Sequence, residues 1–226
     1  MQDLLLFPCN GNAREALDCL GADFRAIGFV DDDPAKLGTI VLGLPVSDRR
    51  ALSQFPNAKV LAVPGSPTSF PRRSDLIMGL VIPRERLATV VHPKAVVSRN
   101  ATIGLNVLLM AGVIIAANAV IEDHVVILPN SVVHHDSHIG AYTMLGSGVL
   151  VAGSVHIGER CYIGSGSRFR DTVTVAPETL VGLGAIVLRP IEDPGGVWIG
   201  SPARFMRPRQ NSSRAGTTTR SIDGTS

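Results

Sequence analysis

The sequence predicts a two-part chain, in which a small α/β domain with a parallel sheet precedes a long parallel β-helix of hexapeptide repeats. Every sixth residue from Val91 to Val187 is apolar, and the residue four places later is always small or β-branched. A six-residue period fits neither an α-helix nor simple strand alternation. It fits short parallel strands, three to a coil, whose large aliphatic side chains stack inside a prism.

The first 88 residues follow a different pattern, because short apolar runs alternate there with stretches that favour helices. This alternation predicts a small, Rossmann-like parallel sheet with helices packed on it. Strands are predicted at Leu4–Phe7, Ala26–Val30 and Val60–Val63. Helices are predicted at Ala13–Leu20 with Asn12 as its cap, at Ser47–Gln54 with Ser47 as its cap, and at Thr68–Leu80 with Pro71 in its first turn.

Ligands of such sheets bind outside the carboxyl ends of the strands. Gly11 lies in the turn after the first strand, where it would let the chain approach a phosphate. Asp31 and Asp32 follow the second strand and could accept hydrogen bonds from a ribose or a base. A solvated turn before Pro34 explains these aspartates equally well, and the G-x-G-x-x-G fingerprint of dinucleotide binding is absent.

The repeats extend the second part over residues 89–208, and they also explain the apolar run Val107–Ile121. That run is shorter than the ~20 residues that span a bilayer, contains Asn118, and keeps the six-residue register throughout. A membrane helix is therefore not expected. Residues 209–226 are rich in Ser, Thr, Gly and Arg, with Ile222 as the one apolar side chain besides alanine, which predicts a disordered tail.

The composition favours a soluble cytoplasmic protein. The formal net charge of +2 indicates neither a nucleic acid nor a membrane surface as partner. Cys9, Cys19 and Cys161 lack the spacing of a metal site or a disulfide framework, and their odd number suits a reducing compartment. The first residues have no basic segment before an apolar core, so no signal peptide is expected.

The run His134-His135-Asp136 is the best candidate for chemistry. The hexad register places His135 at a corner of the prism, where its imidazole should point outwards and can act as a general base near neutral pH. Asp136 could fix the tautomer of that imidazole. A lone surface histidine usually has no such role, but this run inside an unbroken coil favours one. A zinc site formed by His134, His138 and His156 is a weaker alternative, and no metal is expected.

These residues resemble a family of bacterial sugar acyltransferases that includes sialic acid O-acetyltransferases and nucleotide-linked amino-sugar N-acetyltransferases. The resemblance rests on the hexads and on four further segments. These segments are Phe29–Asp33, Val91–Ala95, Val132–Asp136 and Ile199–Arg204. The resemblance implies a left-handed β-helix, a homotrimer, and acetyl-CoA bound in the groove between neighbouring subunits.

The resemblance also implies roles for individual residues. His135 matches the general base and Asp136 its acidic partner, and the N–H of Gly153 matches the group that binds the thioester oxygen. Ser165 and Leu183 match positions that line the CoA arm. Met144 stands where some members have a second histidine near the acetyl group. Gly11, Asp31 and Asp32 match the turns that hold the nucleotide.

The sequence departs from the family pattern at Pro8–Asn12, at Val63–Ser66, at Leu128-Pro129 and at Met144. The predicted function is acetyl transfer from acetyl-CoA to an amine or hydroxyl of a nucleotide-linked sugar in surface-polysaccharide or glycan synthesis. Two alternatives remain open at this point. One is O-acetylation of a free sugar, an amino acid or a glycan, and the other is a trimeric scaffold or binding protein without catalysis.

Overall fold

The computed structural model describes residues 1–208, so the tail predicted over 209–226 lies outside the described residues. The chain begins with a five-stranded sheet in the order β3-β4-β2-β1-β5, which is parallel except for the antiparallel pair β3 and β4. Its strands are β1 (Gln2–Phe7), β2 (Phe24–Val30), β3 (Ile40–Val41), β4 (Leu44–Ser47) and β5 (Lys59–Ala62). Its helices are α1 (Gly11–Ala16), α2 (Ala51–Gln54) and α3 (Arg73–Met78), with 3-10 turns at Leu17–Cys19, Phe70–Arg72 and Arg84–Arg86.

The helices of this domain are shorter than the sequence predicts. Asn10, not Asn12, caps α1, because the Asn10 side chain accepts a hydrogen bond from the N–H of Ala13. Ser47 does not cap a helix, since it ends β4, where it pairs with Val30 of β2. The hairpin of β3 and β4, absent from the prediction, turns at Leu42 and Gly43, which both have positive φ.

From Val90 onwards the chain forms a left-handed parallel β-helix with three faces of two-residue strands. We name the faces by what lies on them. The covered face has strands Val90–Val91, Leu108–Leu109, Val126–Ile127, Met144–Leu145, Tyr162–Ile163, Leu180–Val181, Gly196–Ile199 and Arg204–Pro208. The aliphatic face has strands Val96–Val97, Ile114–Ile115, Val132–Val133, Leu150–Val151, Arg168–Phe169 and Ile186–Val187. The histidine face has strands Thr102–Ile103, Val120–Ile121, His138–Ile139, His156–Ile157 and Thr174–Val175.

The prism has the interior that the six-residue register predicts. Every sixth residue from Leu109 to Val187 is at most 3% exposed. Val91 is 39% exposed because it lies in the first coil, at the end of the prism. Buried hydroxyls link successive coils: Ser131 Oγ donates to the carbonyl of Gly146 at 2.8 Å and accepts from the N–H of Val149 at 3.1 Å. These bonds satisfy polar groups that burial would otherwise penalise.

The covered face packs against the front sheet, in one apolar cluster that includes Leu6 and Phe29 from the sheet and Val126 from the coil. A buried amide pins this contact. Asn106 Oδ1 accepts from the N–H of Ala62 at 2.7 Å, and Asn106 Nδ2 donates to the carbonyl of Ala62 at 2.8 Å. Across residues 1–208, no helix has both the length and the apolar character that crossing a membrane requires.

Candidate active site

The predicted base lies at the edge where the aliphatic face turns into the histidine face. The strand Val132–Val133 ends there, and His135 and Asp136 form the turn that follows. Asp136 has φ of 58°, a left-handed conformation that aspartate tolerates better than most residues. As predicted, the His135 side chain points outwards, since 61% of it is exposed.

His135 and Asp136 form a hydrogen-bonded pair. Nδ1 of His135 lies 2.8 Å from Oδ2 of Asp136. A carboxylate accepts hydrogen bonds, so this contact favours the tautomer with the proton on Nδ1 and leaves Nε2 free to take a proton. The hydrogen bond from Asn118, and after it that from His135, lowers the pKa of Asp136. Asp136 is thus a stable anion at neutral pH, as a partner of a general base should be.

Gly153 lies directly beside the imidazole, one coil beyond His135. A Cβ atom added at Gly153 would fall 2.6 Å from Cε1 and 2.8 Å from Nε2 of His135. Only a glycine therefore allows the ring its present position. Within residues 1–208, the N–H of Gly153 donates no hydrogen bond to the chain, whereas the N–H of the next residue, Ser154, donates to the carbonyl of His135. Gly153 therefore has a free donor next to the imidazole of His135.

Two neighbours that the sequence analysis did not single out hold this turn. Asn118 Nδ2 donates to Oδ1 of Asp136 at 3.0 Å. Ser137 is buried beneath the corner, and its Oγ donates to the carbonyl of Ala152 at 2.8 Å and accepts from the N–H of Val155 at 3.1 Å. Asn118 precedes Asp136 by one full coil of the repeat, so the register alone could have identified that contact.

Ser165 and Leu183 lie at a different edge, between the covered face and the aliphatic face. The two residues occupy equivalent turns of successive coils. Ser165 Oγ accepts from the N–H of Ser147 at 3.1 Å, and Leu183 is 78% exposed. One chain therefore does not bring these two residues together with His135, because the whole aliphatic face separates the two edges.

Met144 is the predicted site residue whose position differs most from expectation. It is 3% exposed and belongs to the apolar cluster between the covered face and the front sheet. A Cβ atom added at Gly65 would collide with its sulfur, so the turn after β5 packs directly on Met144. This burial does not provide the open surface that contact with CoA requires, and Met144 instead packs the two parts of the chain together.

Asp31 organises the turns at the carboxyl edge of the front sheet. It is 4% exposed, and its carboxylate accepts from the N–H of Cys9 at 2.8 Å and from the N–H of Asp33 at 2.9 Å. Lys36, which the sequence analysis did not single out, donates from Nζ to Asp31 Oδ2 at 2.9 Å and to the carbonyl of Cys9 at 3.2 Å. Asp31 therefore shapes two turns from within, and Lys36 is the cation beside them.

Asp32 and Gly11 are more open than Asp31. Asp32 pairs with Arg49 through two hydrogen bonds of 2.6 and 2.7 Å, and both side chains are partly exposed. Gly11 begins α1, and a Cβ atom added there would meet nothing within 4 Å. Space therefore remains at the turn after β1, although both carboxylate oxygens of Asp32 already accept hydrogen bonds from Arg49.

The histidine face carries a polar column. His138 Nε2 lies 2.7 Å from Oε1 of Glu122, and the ring centroids of His138 and His156 are 4.6 Å apart. In the part of the chain that the structure describes, no three His, Cys, Asp or Glu side chains form a group that could hold a metal ion.

Comparison with known proteins identifies the class of protein. The family model of bacterial transferase hexapeptide repeats matches residues 100–135, 118–153 and 136–171. A comparison with curated protein sequences gave no match. Among solved structures, the H141A mutant of GDP-perosamine N-acetyltransferase from Caulobacter crescentus, in complex with CoA and GDP-perosamine, is 30% identical, with a TM-score of 0.80. The alignment covers 92% of this chain and 97% of that one.

Two further structures share the whole fold. The acetyltransferase domain of PglB from Neisseria gonorrhoeae, in complex with acetyl coenzyme A, is 25% identical with a TM-score of 0.79, over 91% of this chain and 99% of that one. WeeI from Acinetobacter baumannii is 22% identical with a TM-score of 0.76, over 91% and 100% of the two chains. With identity, coverage, repeats and front domain in agreement, the chain belongs to the hexapeptide-repeat sugar acyltransferases.

Proposed function

We propose that this protein transfers the acetyl group of acetyl-CoA to an amine or hydroxyl of a nucleotide-linked sugar, with His135 as general base. The observation that carries the proposal is the arrangement of three groups at one edge of the prism. They are an outward imidazole, the carboxylate of Asp136 on its Nδ1, and the free N–H of Gly153 beside its Nε2. The bound CoA and GDP-perosamine in the Caulobacter enzyme support the two substrate classes.

In the proposed reaction, Nε2 of His135 takes the proton of the acceptor N–H or O–H as its nitrogen or oxygen attacks the thioester carbon. The thioester oxygen then carries the negative charge, and the N–H of Gly153 donates to it. When the intermediate collapses, the C–S bond breaks and the imidazolium returns its proton to the sulfur, which leaves as the CoA thiol. Asp136 stabilises the imidazolium between these two proton transfers.

We propose further that the active unit is a homotrimer. Val96, Ile114 and Leu150 point outwards from the aliphatic face and are 62%, 42% and 38% exposed, an apolar column that a second copy would cover. The His135 edge and the Leu183 edge border this face on opposite sides. Three copies with aliphatic faces around a threefold axis would place the His135 edge of one chain against the Leu183 edge of the next.

This arrangement would complete a site that a single chain leaves divided. The acetyl-CoA arm would lie along Ser165 and Leu183 of one copy, and the base would come from its neighbour. Light scattering should then give three times the chain mass of 23.8 kDa. Leu150→Glu should reduce that mass and abolish transfer, whereas Thr174→Glu on the histidine face should change neither.

For the acceptor, we propose that the first-strand turn at Gly11 and the exposed carboxylate of Asp32 contact the nucleotide, with Asp31 and Lys36 fixing the shape of these turns. Arg49 would have to release or share Asp32 when a nucleotide binds. We place the reaction in the cytoplasm, where acetyl-CoA is available, and in the synthesis of surface polysaccharide or other glycans. A free-sugar or amino-acid acceptor is the second candidate, favoured by the departures at Pro8–Asn12.

Thermal unfolding against a ligand panel tests the proposal. The panel is acetyl-CoA, then UDP-, GDP-, dTDP- and CMP-linked sugars, with GDP-perosamine included. A ligand at 100 times its dissociation constant adds about 2.7 kcal/mol to the stability, which a melting curve resolves. Shifts with acetyl-CoA and one nucleotide class support the proposal. A shift with acetyl-CoA alone favours the second candidate, and no shift with any ligand contradicts both.

A further inference from the structure

We propose that Asn118 is a positioning residue for the base, which acts through Asp136 and completes a chain of three side chains, Asn118–Asp136–His135. The inference rests on the proposed function, because it concerns the same base. It also goes beyond that function, since it adds a residue from another coil, 17 positions before His135, whose contribution can be measured on the imidazole itself.

The hydrogen bond between His135 and Asp136 does not by itself fix the orientation of the carboxylate. The two residues are adjacent in the chain, and their side chains are 61% and 51% exposed. An exposed carboxylate can rotate freely and exchange its imidazole contact for water, which costs little in an aqueous environment. Something must therefore hold the Asp136 carboxylate if Oδ2 is to stay 2.8 Å from Nδ1 of His135.

Asn118 provides that constraint. Its amide Nδ2 donates to Oδ1 of Asp136 at 3.0 Å, so one oxygen faces Asn118 and the other faces His135. The backbone of Asp136 is fixed as well, because its N–H donates to the carbonyl of Ala117 at 3.0 Å. The carboxylate thus has a single orientation in which both oxygens are used.

The repeat of the β-helix places Asn118 directly beside Asp136. Asn118, Asp136, Ser154 and Thr172 occupy the same turn of four successive coils, and all four have φ between 56° and 62°. Asparagine suits such a left-handed position and also offers an amide donor. The coil spacing of a β-helix then brings the side chains of Asn118 and Asp136 within hydrogen-bonding distance. The hydrogen bond from Asn118 is also the first cause of the lowered pKa of Asp136.

Two substitutions separate the amide donor from the shape of the residue. Asn118→Gly removes the side chain and keeps the backbone conformation, since glycine populates positive φ readily. Asn118→Asp keeps the shape but replaces the donor by an acceptor that repels Asp136. Thr172→Gly is the matched control, because it makes the same backbone change in the same column without contacting Asp136.

The first readout is the imidazole tautomer, measured by ¹⁵N NMR of histidine-labelled protein at a pH where the ring is neutral, with the His135 signals assigned through His135→Gln. The wild-type protein should carry the proton on Nδ1. In Asn118→Gly and Asn118→Asp that population should fall several-fold, while Thr172→Gly should match the wild type. Unchanged tautomer populations in both Asn118 variants would overturn the inference.

The second readout is the rate of CoA thiol release with the best acceptor of the ligand panel. Both Asn118 variants should lower kcat by about tenfold, a part of the roughly 10²–10⁴-fold that a positioned base contributes, with unchanged KM for acetyl-CoA and unchanged melting temperature. An equal kcat in wild type and both variants contradicts the role of Asn118 alone. Full activity in His135→Ala would instead contradict the proposed function.

Discussion

The contact between Gly153 and His135 gives the sharpest prediction about catalysis. In Gly153→Ala, the new Cβ would lie 2.6 Å from Cε1 and 2.8 Å from Nε2 of His135, where ordinary contacts are 3.4–4 Å. The imidazole must therefore retreat by about 1 Å, and a misplacement of that size can lower a rate by about 10²-fold. We expect kcat to fall by about this factor.

The same substitution should leave the stability nearly unchanged. The atoms that the new methyl group meets belong to an exposed, rotatable side chain, and the φ of Gly153 lies outside the left-handed region. Gly140→Ala is the matched contrast, because its Cβ would lie 2.5 Å from the backbone nitrogen of Glu159, which cannot move aside. That variant should lower the melting temperature.

The assay for both variants is CoA thiol release with the best acceptor, together with a thermal melt. The double variant Gly153→Ala, His135→Ala provides the control. If Gly153→Ala acts through the base, it should have no further effect once His135 is removed. Wild-type kcat in Gly153→Ala, or an equal further loss in the His135→Ala background, would contradict this steric role of Gly153.

Two further predictions concern stability. Asn106→Gly keeps the left-handed backbone (φ of 54°) but leaves the buried N–H and C=O of Ala62 unpaired, so the free energy of unfolding measured with denaturant should fall by about 2–6 kcal/mol. Asn130→Gly, at an exposed turn with φ of 61°, is the control and should change this free energy little. Equal losses in the two variants would contradict the role of Asn106 in holding the coil against the front sheet. Burial, and after it the nearby charge of Arg73, lowers the pKa of His124 to about 4. The unfolded chain binds this proton near pH 6.5. The free energy of unfolding should therefore have its full value above that pH and fall by up to about 3 kcal/mol as the pH drops towards 4. In thermal melts across this pH range, His124→Asn should show a smaller dependence of stability on pH.

The β-helix could be predicted from the sequence because its interior has a fixed period. Each coil must place one large aliphatic residue inward per face, so Leu109 and its equivalents determine the register of all strands. The same register places His135 at a corner and points it outwards. The residue pattern of one hexad was sufficient to predict the whole β-helix, since each coil repeats the same inward contacts.

The front domain was harder to predict because its elements depend on single contacts between distant residues. The predicted helix at Ser47–Gln54 fails because pairing with β2 makes Ser47 part of a strand. The burial of Asp31 depends on Lys36 and on the turn at Cys9, which no local pattern reveals. Such contacts appear only once the chain is folded.

In the candidate site, some residues could be predicted from the repeat and others depend on contacts with the front domain. The sequence run predicts His135 and Asp136, and the repeat brings Gly153 beside them, one coil later. Asn118 was missed although the same spacing connects it to Asp136. Met144 was misplaced because a motif position does not show that the front domain covers that strand.

The most direct test of His135 as general base is the transfer of labelled acetyl from acetyl-CoA to a nucleotide-linked amino sugar, measured for the wild type and His135→Ala side by side. GDP-perosamine and the panel's best ligand are the acceptors to use first. We expect labelled product with the wild type, a rate about 10²–10⁴-fold lower with His135→Ala, and the same thermal shift with acetyl-CoA in both proteins. Labelled product at the wild-type rate from His135→Ala would contradict this role of His135.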